Sequence, residues 1–145
     1  MKLWNSLVCG AVLACAFLAL AGLSASADDK KGDKDKSVPA GVWQLKDGEQ
    51  RIEFADKGVL KISPHGMDEL ILVVCKFTVE KDGSVKAKVT ELSGEAKDKV
   101  KDVVPVGYEF TFKWNAKDDA ATLDEVKGEN VEHLKSHLEG KYGKK

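Results

Sequence analysis

The sequence predicts a mainly β fold: an antiparallel meander of seven to eight short strands forming a barrel, with short helices near 94–104 and 130–139. Three observations carry this. Short runs with apolar side chains at every second position recur from Gly41 onward. Turn-forming stretches such as Asp47-Gly48, Asp56-Lys57-Gly58 and Lys81-Asp82-Gly83 separate them. In one run, Tyr108, Phe110, Phe112 and Trp114 take the even positions and Glu109, Thr111 and Lys113 the odd ones, so one face is wholly aromatic. Closing such a sheet removes the unpaired edges that a flat sheet exposes. A two-sheet sandwich satisfies the same alternation and stays open as the second architecture.

The chain begins with the three parts of a secretory signal. Lys2 is positive, Leu7 to Leu23 is apolar and uncharged, and Ala25-Ser26-Ala27 places small residues before the acidic Asp28-Asp29. Cleavage after Ala27 is expected, with export to the periplasm or the exterior. A retained anchor, and lipid attachment at Cys15 after Val12-Leu13-Ala14, are the alternatives. Removing 27 residues from a chain of 145 leaves 118, one domain with room for a core. Cys9 and Cys15 lie in the signal, so Cys75 remains alone and no internal disulfide is possible. The formal charge is −1 and becomes −2 without Lys2, with both signs interspersed. That balance gives no footprint for nucleic acid or for an anionic membrane surface. Residues 28–37 hold no large apolar side chain and read as a flexible charged linker ahead of a domain at 38–145.

Within that domain, Trp43 and Leu45, then Ile52 and Phe54, then Leu60 and Ile62, share alternating faces, a three-stranded meander over 41–63. Leu70 to Val79 begins apolar on both faces and is rich in β-branched residues, which favours strand. Val85, Ala87 and Val89 alternate with Lys86, Lys88 and Thr90. Ala96, Val100 and Val103 fall at helical spacing, a short surface helix ended by Pro105. After the aromatic strand, Thr122 to Val126 is a weaker strand. Asn130 is placed to cap a helix whose stripe is Val131, Leu134 and Leu138, with Gly140 as a left-handed stop. Tyr142 lies in a basic tail that can form a last strand.

Gly41-Val42-Trp43 is similar to the Gly-x-Trp that opens lipocalin-like barrels, and Arg51 to Phe54 with Gly58 to Ile62 looks like their second and third strands. The closing Leu138-Glu139-Gly140-Lys141-Tyr142 and the lysine-rich linker resemble small exported paralogous proteins of planctomycete bacteria, which have no established activity. The resemblance implies a lipocalin-like barrel in which Gly41 and Trp43 are structural. The chain departs from lipocalins in its short length, its lack of a disulfide pair and the helix expected at 94–104.

Few residues suggest chemistry. His133 and His137 lie four apart and would share a helix face, the weak candidates for a metal. Two imidazoles are too few for a closed zinc site, the His-Glu-x-x-His order is absent, and His65 is far away in sequence, so no metal and no cofactor is expected. The histidines are expected to point to water, away from Leu134 and Leu138. Cys75 sits in the most apolar strand and reads as core. Trp43, Tyr108, Phe110, Phe112 and Trp114 are the candidate ligand-binding set, because aromatic faces hold apolar ligands; core packing is the competing role. The expectation is an exported, monomeric binding or interaction module, not an enzyme. Its partner would be an apolar small molecule or another envelope protein. A structural envelope-associated protein with a solid core is the alternative, and a metal-dependent hydrolase a distant one.

Overall fold

The structure, a computed structural model, describes residues 38–145. The signal reading of 1–27 and the linker reading of 28–37 lie outside the described residues. Eight strands run in chain order: β1 (Gly41–Leu45), β2 (Arg51–Ala55), β3 (Val59–Ser63), β4 (Leu72–Val79), β5 (Ser84–Ser93), β6 (Glu109–Lys117), β7 (Ala120–Gly128) and β8 (Gly140–Lys144). Each pairs antiparallel with the next, and β8 returns to β1, closing the barrel. The closed meander decides between barrel and sandwich.

Alternation explains which side chains fill the interior. Trp43 lies opposite Ile52, Ile52 opposite Ile62, and Ile62 opposite Val73. A second band runs from Phe54 through Leu60 and Cys75 to Val89. Phe110 faces Ala87 and Phe112 faces Val85, so the bulky rings of β6 meet the smaller residues of β5. All of these side chains are buried. Two register shifts bend the sheet as closure requires: one between Val74 and Cys75 on β4, the other between Thr111 and Lys113 on β6. Opposite the second shift, Glu125 adopts a left-handed φ of 51°.

Up-and-down topology sorts the connections by end. The tight turns after β2, β4 and β6 share one end. The longer connections 46–50, 64–71, 94–108 and 129–139 share the other. The last of these carries α1 (Glu132–Leu138). Residues 94–104 form helical turns, a 3-10 helix at Lys97–Lys99 followed by further turns, not one continuous α-helix. Val100 and Val104 face the barrel from this segment, and Val104 is buried. Two expected helix ends differ. Asn130 is left-handed at φ 51°, and the residue before α1 is Val131, with no side-chain cap. Gly140 is not a left-handed stop but the first residue of β8, where a Cβ would come within 2.5 Å of Leu45 Cδ1.

Candidate functional site

The interior is filled toward the tight-turn end and hollow toward the loop end. Trp114 is the hub of the filled part, with ring centroids 5.4 Å from Trp43, 4.9 Å from Phe54 and 5.5 Å from Tyr142. The indole N–H groups of Trp43 and Trp114 are buried there without an acceptor among the described residues. Cys75 is also buried, and burial pushes its thiol up to about 12, which keeps it protonated and inert at neutral pH.

At the loop end, Ile62, Ile71, Val73, Val104, Phe110 and Leu138 surround a cavity of about 190 Å³. Ile62 and Val73 reach it from paired strands, and Ile71 from the end of the β3–β4 loop. The 94–108 connection covers one side with Val100, Val103 and Val104, and α1 covers another with Leu134 and Leu138. The 94–108 connection is laced to the 64–71 loop by backbone bonds from Glu95 N to Glu69 O and from Ala96 N to Leu70 O, each 2.9 Å. Gly94 allows this approach: its φ is +100°, and a Cβ there would sit 2.5 Å from Leu70 O.

His65, His133 and His137, all the histidines of the chain, border this one cavity. Each is exposed, so the imidazoles form its mouth. His133 and His137 are exposed to water as expected, and both also border the cavity that Leu134 and Leu138 line. The two rows are adjacent on the helix, about 100° apart, and both border the cavity that α1 overhangs. Among the described residues, no group of three or more His, Cys, Asp or Glu side chains is placed to hold a metal ion.

His65 is positioned by a clamp. Asp68 accepts hydrogen bonds from the Ser63 hydroxyl and the Arg51 guanidinium, folding the β3–β4 loop back over β2 and β3, where Arg51 and Ser63 are cross-strand partners. The Ser63 hydroxyl, then the Arg51 charge, hold the Asp68 carboxyl below the usual carboxylate range. The end of α1 is pinned by Glu139, whose Oε1 accepts from Val126 N at 3.1 Å. Tyr108 donates to the Glu129 carbonyl, joining the 94–108 connection to the segment before α1.

Of the five aromatic candidates, Phe110 lines the cavity. Trp43 and Phe112 are packed in the barrel, and Tyr108 is half-buried beside Phe110. Trp114 borders a different hollow of about 340 Å³ at the tight-turn end, with Val38, Asp82, Lys113 and Asn115. That groove is larger but open and walled by polar turn residues, so the apolar, helix-covered cavity is the better site. Sequence reasoning missed Gln50, His65 and the aliphatic lining. The available signal was parity: in an up-and-down barrel the β3–β4 and β7–β8 connections lie at the same end, which brings His65 toward His133 and His137. No family model, curated protein or solved structure matches this chain.

Proposed function

We propose that this chain is an exported, lipocalin-like binding module that takes a small apolar ligand into the loop-end cavity, without catalysis. One observation carries the reading: of the hollows at the two ends of the barrel, the one at the loop end is walled almost wholly by apolar side chains, and its mouth is open. An apolar cavity of about 150 Å³ holds a benzene ring, so a hollow of about 190 Å³ suits one ring or a short branched chain. It falls below the roughly 300 Å³ typical of drug-sized ligand pockets, which excludes long or polycyclic molecules. The export half rests on the apolar, charge-free stretch from Leu7 to Leu23 and on Ala25-Ser26-Ala27. The resemblance of the linker and closing segment to exported planctomycete proteins supports it.

Titration with toluene, followed by NMR shifts of the cavity valines and Phe110, tests the binding half. Saturable shifts confined to those residues are expected. In Val104→Phe, which fills the hollow from the covering loop, they should disappear. A folded protein that takes up no toluene would favour the second reading, a structural envelope-associated barrel, which the solid aromatic half supports. Export is checked by the N-terminus of the mature protein, expected at Asp28; a chain still beginning at Met1, or lipid-modified at Cys15, overturns it.

A further inference from the structure

We propose that the ligand of this cavity is a small carboxylic acid, its ring or short chain filling the hollow and its carboxylate held at the mouth by His65, His133 and His137. The inference rests on the cavity-binding reading above and adds the chemistry of the head group. The lining residues include no Asp, Glu, Lys or Arg. The imidazoles are the ionisable groups there, and the charge an imidazole can take is positive. An ammonium head would leave water at this mouth without a counter-charge, whereas a carboxylate meets up to three N–H donors with its own acceptor sites.

Two carboxylates beside the histidine-bearing segments are already engaged. Asp68 holds Ser63 and Arg51, and Glu139 accepts from Val126 N, so neither is free to receive a cation. On the inner side of the cavity, the Gln50 side chain is tied to the barrel. The Gln50 amide nitrogen donates to the Tyr142 hydroxyl, which donates to the Leu138 carbonyl. A polar head is therefore directed outward, to the histidines, and the apolar part inward, against Ile62, Val73 and Phe110. The imidazoles come from two separately anchored elements, the Asp68-clamped loop and α1.

The experiment compares three probes that share one ring: toluene, p-toluate and p-methylbenzylamine, each titrated calorimetrically at neutral pH into the wild-type chain and a His65→Gln/His133→Gln/His137→Gln variant. In the wild type, p-toluate should bind at least about tenfold tighter than the amine, as hydrogen bonds to a charged group imply. In the variant that ratio should fall to near one. Should the triple variant fail to fold, the His133→Gln/His137→Gln pair on exposed helix positions reads the same ratio. A wild-type protein that binds the amine as well as the acid overturns the inference, and so does a preference for the acid that survives loss of the histidines. If toluene binds without any preference for p-toluate, the acid inference alone fails. If toluene does not bind, the cavity reading fails and this inference with it.

Discussion

The side-chain amide of Gln50 donates a 2.7 Å hydrogen bond to the hydroxyl of Tyr142, a residue 92 positions away. Tyr142 in turn donates to the Leu138 carbonyl at 2.7 Å, one of the carbonyls that a helix end leaves without an intrahelical partner. The first hairpin, the last strand and α1 are thus tied at one buried point. Gln50 and Leu138 also line the cavity, so the tie forms part of its inner wall. Burial raises the Tyr142 hydroxyl well above its ordinary pKa, with the Gln50 bond pulling the other way.

Tyr142→Phe removes both bonds and leaves the Gln50 donor and the Leu138 carbonyl buried. The expected loss is about 1–3 kcal/mol, measured by denaturant unfolding at pH 7. The raised hydroxyl also gives a pH signature. Folding favours the neutral phenol, so its contribution is complete below the unfolded tyrosine value near 10 and is lost as pH rises beyond it. The variant should show a shallower alkaline fall. The remainder comes in part from Tyr108, which burial also raises.

Asp68 should act at the opposite end of the scale. Its folded carboxyl lies below the usual range, so it stabilises above the unfolded value near 3.9 and the contribution disappears as pH falls through the folded value. Asp68→Asn should lower stability at pH 7 and flatten the dependence below pH 4. The Arg51 and Asp68 side chains are 34% and 38% exposed, so solvent screening limits the ion-pair part of the loss to less than about 1 kcal/mol. A variant with an unaltered acid profile would show that the clamp contributes nothing to folding.

Phe112 lies in the packed part of the barrel and is 1% exposed. Phe112→Ala should cost about 3–5 kcal/mol, because the surrounding strands cannot collapse into the space left. A loss below about 1 kcal/mol, read from urea midpoints, would mean that this part of the core is not closely packed.

Gly94→Ala should separate the loops over the cavity. The added Cβ meets Leu70 O at 2.5 Å and the Leu70 carbonyl carbon at 2.7 Å, both backbone atoms, and φ there is +100°. The expected destabilisation exceeds about 1 kcal/mol. Amide exchange at Glu95 and Ala96, which bond to the facing loop, should speed up more than exchange in β2 and β3. Uniform acceleration across the barrel would contradict a local role.

Much of the fold was legible because strand alternation is a local property. Trp43, Ile52, Phe54, Leu60 and Ile62 declare their faces in a few residues each, and the aromatic positions of β6 declare an interior. The stripe Val131, Leu134 and Leu138 likewise marks α1, and all three residues pack against the core. The segment 94–104 misled because valines at helical spacing also suit a chain that turns repeatedly while dropping Val100 and Val104 toward a hollow.

The sequence by itself determined the strand pattern, the inward faces, and the apolar and charge-free N-terminal stretch. Each follows from residue type and short-range periodicity. Only the tertiary structure decided that β8 returns to β1, that the tight-turn half fills with Trp43, Trp114, Phe54 and Tyr142, and that the loop half stays hollow. Closure depends on pairing between strands nearly a hundred residues apart, which no local pattern encodes. The meeting of His65 with His133 and His137 around one cavity has the same origin. Their separation along the chain carries no information about distance until the meander places both connections at one end.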